Sequence, residues 1–116
     1  MTGLASKTFD RIPTVSVLGV PISTLTMEET MGVLEKWCQS EESRLVITAD
    51  ATALVIAEEK PRFASVLAKA QLITADSVGI LWAMRRVGHK NPSKVSGVDL
   101  VAKLCDLSAR TGLKLY

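Results

Sequence analysis

Two aspartates, each closing an apolar run, are the residues of this sequence best placed to do chemistry. Asp50 follows Arg44-Leu-Val-Ile-Thr-Ala49, and Asp76 follows Leu72-Ile-Thr-Ala75. A carboxylate at a strand-to-helix turn can take a proton from a substrate hydroxyl as a general base. The same residue type is also a favoured helix N-cap, and a carboxylate held by two backbone donors is a weaker base. Two such groups on one edge could also share a divalent cation through oxygen ligands, although nothing in their spacing demands a metal. Both readings, base and cap, stay open for Asp50 and Asp76 on the residues alone.

Ser77 offers a third chemistry. Ala75-Asp-Ser-Val-Gly79 is a loosened form of the nucleophile elbow, in which a serine sits on a sharp turn between strand and helix. The rest of a serine triad is missing, because the only histidine, His89, comes in the next loop and no acid and histidine follow in the required order. Arg85, Arg86, His89, Lys90 and Lys94 form a basic cluster. It could hold a diphosphate or anionic lipid headgroups, or simply be a solvated surface favoured at a helix C-terminus. Cys38 and Cys105 lie far apart without metal-ligand spacing and read as two reduced structural thiols. Trp37, Trp82 and Met84 read as core or rim packing.

The elements that must position these groups alternate. Thr14–Leu18 reads as a strand closed by Gly19-Val20-Pro21. Thr26 and Glu29 have the spacing of a capping box, followed by Met27, Met31, Leu34 and Cys38 at helical intervals. Arg44–Thr48 reads as a strand covered on both faces. A helix over Ala51–Glu59 is opened by Asp50 or Thr52, and Pro61 suits the first turn of another through Phe63, Val66, Leu67 and Ala70. After the strand ending at Ala75, a helix over Val78–Val87 carries Ile80, Leu81 and Met84 inward, with Gly88 as its stop. Ser96 and Asp99 are placed to satisfy the start of a helix reaching about Arg110, with Leu100, Val101, Leu104 and Leu107 as its buried stripe. Gly112 stops it, and Leu113–Tyr116 begins another strand.

This alternation predicts an α/β fold with a three-layer parallel sheet, helices on both faces, Rossmann-like in organisation. Its strand carboxyl ends would gather Thr48, Asp50, Asp76 and Ser77 on one edge, where ligands bind in such folds. A strand that has barely begun at Tyr116 suggests a truncated sequence, and a bare sheet edge leaves a homo-oligomer open. The expected organisation is a flexible leader over residues 1–13 and one domain over 14–116.

With 116 residues, the chain is long enough for one core and short for two. Its net charge of +2 and scarce aromatics speak against nucleic acid as a partner. No stretch has the make-up of a signal peptide or the length of a membrane span, so the expected location is cytoplasmic, with any membrane contact peripheral and at the inner face.

Taken together, Val17-Leu-Gly-Val-Pro-Ile22, Val46-Ile-Thr-Ala-Asp50, Leu72-Ile-Thr-Ala-Asp-Ser-Val-Gly-Ile80 and Val95-Ser-Gly-Val-Asp-Leu-Val101 resemble the WecG/TagA/CpsF glycosyltransferases, in one order and with matching spacings from about Thr14 to Tyr116. The resemblance covers the N-terminal part of such an enzyme. It implies an inverting, metal-independent transfer, without a cofactor, of an N-acetylmannosamine-type sugar from a UDP-sugar donor to a lipid-linked acceptor, a lipid-diphosphate N-acetylglucosamine, for teichoic acid linkage units or surface polysaccharide. It assigns the catalytic base to Asp76 and substrate contacts to Thr48, Asp50, Ser77, Gly97 and Asp99. The family's pattern resembles Thr-Pro-Asn where this chain has Thr48-Ala49-Asp50, and Asp-Gly where it has Asp76-Ser77. A competing reading from another class is a binding or assembly module that keeps the fold without the donor-binding half.

Overall fold

Local chemistry sets most of the boundaries. The computed structural model describes residues 11–116 and contains, in order, strands β1 (Thr14–Val17) and β2 (Val20–Ser23), helix α1 (Met27–Cys38), strand β3 (Val46–Ala49), helices α2 (Ala51–Glu59) and α3 (Pro61–Lys69), strand β4 (Leu72–Ala75), and helices α4 (Val78–Arg86) and α5 (Gly97–Thr111). Thr26 and Glu29 form the expected capping box, with the Glu29 N–H donating to Thr26 Oγ1 at 3.1 Å and the Thr26 N–H to Glu29 Oε1 at 2.9 Å. Pro61 opens α3. Gly88 and Gly112 follow their helices with φ of 105° and 80°, left-handed positions that a glycine occupies without steric penalty.

The strands depart from the expected single parallel sheet. Thr14–Leu18 and Gly19-Val20-Pro21 are not a strand and its closure but an antiparallel hairpin, in which Thr14 pairs with Ser23 and Val17 with Val20. Leu18 and Gly19 turn the chain with φ of 52° and 79°, the pair of positive values that a tight two-residue hairpin turn requires. Pro21 is tolerated in the ladder opposite Ser16 because a hairpin in a two-stranded sheet leaves its outer edges unpaired. β3 and β4 form a separate two-stranded sheet that is parallel, as expected, with Val46 beside Leu72 and Ala49 beside Ala75. Leu113–Tyr116 joins no ladder; the Leu113 carbonyl instead accepts from the Ser108 hydroxyl.

β4 is the structural centre. All four of its residues are buried, whereas β3 is only half-buried until Ala49, so the strand expected to be covered on both faces is the other one. Side chains alternate across a strand, and those of β4 divide between two apolar clusters. Ile73 and Ala75 pack with Ile22 of the hairpin, Leu54, Leu67, Ile80 and Met84. Leu72 packs with Leu34, Trp37, Val95 and Leu100 from α1, α5 and the segment before α5. Helices thus flank β4 on both sides, in a mixed α/β arrangement built on two small sheets.

Helix faces differ from the expected stripes in detail. In α1 the buried residues are Thr30, Val33, Leu34 and Trp37, while Cys38 is exposed. Cys105 is also exposed, and both thiols are free. Val101 and Trp82 face outward, and Met84 and Ile80 inward. The leader expected over residues 1–13 lies outside the described residues up to position 10. Its end is held: the Pro13 carbonyl accepts from the Thr24 N–H at 3.0 Å, and Ile12 packs against the α1 cluster.

Candidate functional site

The parallel register brings the two candidate turns level. Thr48 lies beside Thr74 and Ala49 beside Ala75, and the Asp76 N–H continues the ladder to the Ala49 carbonyl at 3.0 Å. Asp50 and Asp76 therefore leave the sheet at one edge, as the sequence pattern anticipated. The structure gives them different tasks.

Asp50 is exposed and caps α2, accepting the Ala53 N–H on Oδ1 at 2.8 Å. Ser77 caps α4, accepting the Ile80 N–H at 3.2 Å. Its hydroxyl oxygen thus does the work of an N-cap. Asp76 is thereby released from capping its own helix. It is half-buried, and its Oδ2 accepts the Gly97 N–H at 3.2 Å, the first residue of α5. Among the described residues, Oδ1 accepts no hydrogen bond.

This cross-chain bond replaces an expected local one. Ser96 is the N-cap residue of α5, but its side chain makes no capping hydrogen bond, and Asp99 is an exposed carboxylate in the first turn. Asp99 still favours the helix electrostatically, since a negative charge near the N-terminus opposes the macrodipole. The start of α5 is delivered to Asp76 by Val95, which is buried against β4. The Val95 N–H donates to the Ala75 carbonyl at 2.7 Å, and Thr74 Oγ1 donates to the Val95 carbonyl at 3.2 Å.

Gly97 is pressed against both neighbours. A Cβ built there would lie 2.9 Å from Thr48 Oγ1 and 3.5 Å from Asp76 Oδ2. The structure thus brings together Thr48, Asp76 and Gly97, leaves Asp50 and Ser77 at the same edge as caps, and sets Asp99 on the exposed side. Replacing Gly97 with alanine should force Thr48 aside, since a contact of 2.9 Å is closer than real Cβ atoms come. Overpacking of this kind costs about 1–3 kcal/mol, and a fall in the urea midpoint at unchanged slope would register it; an unchanged midpoint would show that Thr48 moves freely.

A groove of about 470 Å³ opens beside this cluster, lined by Thr48 and Gly97 and also by Trp37 and Arg44. Leu34, Leu100, Val101 and Leu104 make its walls apolar. The Arg44 guanidinium stacks over the Trp37 ring at 5.0 Å from its centroid and pairs with Glu42 at 3.2 Å. Trp37 Nε1 is buried and makes no hydrogen bond. Thr74, Val95 and the Trp37–Arg44 pair were not singled out as site residues from sequence. On sequence Trp37 reads only as core or rim packing and Arg44 only as the start of an apolar run, so nothing there signalled the groove.

Among the described residues no group of three or more His, Cys, Asp or Glu side chains converges. The site is one carboxylate with a free oxygen, a threonine hydroxyl and a glycine backbone at the carboxyl edge of a parallel strand pair, which suits an enzyme that activates a substrate hydroxyl. The glycosyl transferase WecG/TagA/CpsF family model matches residues 15–116, and the chain belongs to that family. A search of curated proteins finds no match.

Proposed function

We propose that the protein serves an inverting transfer of an N-acetylmannosamine-type sugar from a UDP donor to a lipid-diphosphate-linked N-acetylglucosamine, with Asp76 as the general base. The observation that carries this reading is the state of Asp76. Its Oδ2 is fixed by the Gly97 N–H, and its Oδ1 has no partner among the described residues. A base needs that combination: a carboxylate held in one orientation with a lone pair left for the proton it removes.

In the proposed reaction, the acceptor hydroxyl loses its proton to Asp76 Oδ1 as its oxygen attacks the anomeric carbon. The bond from that carbon to the diphosphate breaks on the opposite side, and UDP leaves with the electron pair. Thr48, within contact distance of Gly97, would orient a sugar hydroxyl. Asp50 would act at the rim, as would Asp99 on the exposed side.

The diphosphate would be met by backbone donors. α2 and α4 each start with several unpaired N–H groups, of which Asp50 takes the one on Ala53 and Ser77 the one on Ile80. Their first turns meet where Gly79 faces Ala51, with a built Cβ at 3.3 Å. The remaining donors of both helices would then lie side by side, an arrangement that favours anions.

Incubating the purified protein with UDP-N-acetylmannosamine and a short-chain lipid-diphosphate N-acetylglucosamine tests the reading. Formation of a disaccharide product with inverted anomeric configuration is the expected result. A folded protein that neither transfers the sugar nor binds the donor would instead point to a binding or assembly role.

A further inference from the structure

α5 is apolar on two opposite sides. Its inner side buries Leu100 and Leu107. On its outer side Val98 is 81% and Val101 59% exposed, and the exposed Ala102, Cys105 and Ala109 continue that face at helical intervals. A solvated helix ordinarily turns charge away from the core, but here the charges stand aside in one row. Asp99, Lys103, Asp106 and Arg110 are exposed and follow one another every three or four residues, so they run along one flank of the apolar face with alternating sign. Within the row, Arg110 Nε pairs with Asp106 Oδ2 at 3.2 Å.

We propose that this face of α5 pairs with the same face of a second copy of the chain, the two helices running antiparallel about a two-fold axis. Burial of the apolar face supplies the attraction, with Val98 of one copy against Ala109 of the other and Ala102 against Cys105. The row of charges selects the partner and the direction. In an antiparallel pair the two rows meet, and Asp99 then faces Arg110 of the other copy and Lys103 faces Asp106, each contact occurring twice by symmetry. A parallel pair would set the row against Val101 and Ser108 instead, where it finds no charge. One helix face falls short of the roughly 800 Å² per partner that stable complexes bury, so the dimer is a reversible one.

The start of α5 gives the pairing its use. The Gly97 N–H donates to Asp76 Oδ2, and Asp99 lies two residues further on. Antiparallel pairing sets Arg110 of the second copy beside Asp99, so each copy lends a cation to the rim of the other's Asp76 site, where a substrate carrying a diphosphate gains from it. The fifteen residues of α5 span about 22 Å, so the two sites lie at opposite ends of the interface and do not obstruct each other. This use rests on the transferase reading; the pairing itself does not.

Sedimentation equilibrium tests it. A monomer–dimer equilibrium with a dissociation constant on the order of 10–100 μM is expected for an interface of this size. Ala102→Glu, an exposed position, puts a charge in the middle of the apolar face and should abolish dimerisation. Lys103→Glu or Asp106→Lys alone should weaken it roughly tenfold, since two surface pairs turn repulsive, and the two combined should restore it, because the signs are exchanged and the pairs remade. With Cys38→Ser, a bismaleimide of about 10 Å span, the separation of packed helices, should join two copies through the exposed Cys105; with Cys105→Ser, Cys38 should not be joined. A protein still monomeric at about 1 mM, a dimer left intact by Ala102→Glu with unchanged circular dichroism, cross-linking through Cys38 in place of Cys105, or a combined charge exchange that restores nothing would each overturn the proposal. Dimerisation without sugar transfer would fail the transferase reading alone, and transfer by a protein that stays monomeric would fail the pairing alone.

Discussion

Replacing Asp76 with asparagine is expected to lower the rate of sugar transfer by roughly 10²–10⁴-fold, the usual worth of a positioned general base. The substitution is chosen because it separates chemistry from architecture. An asparagine side-chain oxygen can still accept the Gly97 N–H that Asp76 Oδ2 accepts at 3.2 Å, so the start of α5 keeps its anchor. What is lost is the capacity to take a proton. The expected pattern is a fall in kcat with an unaltered melting curve, measured with UDP-N-acetylmannosamine and a lipid-diphosphate acceptor. Transfer at the native rate by this variant would remove Asp76 as the base. Asp76→Ala is the complementary change: it should add a loss of stability, since a backbone donor at the start of a helix is left without its acceptor.

The second large effect is expected in the core. Ile22→Ala should destabilise the protein by about 2–5 kcal/mol, through lost burial and the cavity left behind. Ile22 has no exposed surface and packs with residues of α2, α3, β4 and α4. The hairpin and the parallel pair share no ladder, so side-chain packing of this kind is what joins them. Urea unfolding should show a lower midpoint in a single transition. A loss well below 1 kcal/mol, or two separate transitions, would show the hairpin to be an independent appendage.

Local signals were the most legible part of the sequence. The Thr26–Glu29 capping box, Pro61 at the start of α3, the bounds of α2 and the stops at Gly88 and Gly112 each depend on residues within one turn of one another. The parallel pairing of β3 with β4 was also legible, because two similar apolar runs separated by helical sequence imply a crossover. The hairpin was not. Its turn is Leu18-Gly19 rather than the asparagine-glycine or aspartate-glycine that announces such turns, and the leucine accepts a positive φ that its own type disfavours.

At the site, the residue types were legible and their division of labour was not. On sequence Asp76 reads as either a base or the cap of α4; in the structure Ser77 takes the cap and Asp76 accepts from Gly97, 21 residues further on. Likewise, Ser96 and Asp99 have the spacing of a capping pair, yet Asp76 takes the first N–H of α5 instead. Helical periodicity placed Ile80 and Met84 inward correctly, but it could not tell that Trp82 would be left outside.

Two hydrogen bonds tie Val95 to β4, one from its N–H to the Ala75 carbonyl and one from the Thr74 hydroxyl to its own carbonyl. The Val95 and Asp76 amides donate to the carbonyls of Ala75 and Ala49, two fully buried residues at the ends of β4 and β3. Such amides exchange with solvent deuterium only when the whole domain opens, so both should rank among the slowest in a hydrogen-exchange profile. The amides of Lys114 to Tyr116, exposed and outside any ladder, should exchange among the fastest. A group that must meet one hydroxyl in one geometry would thus be mounted on the last part of the described chain to open.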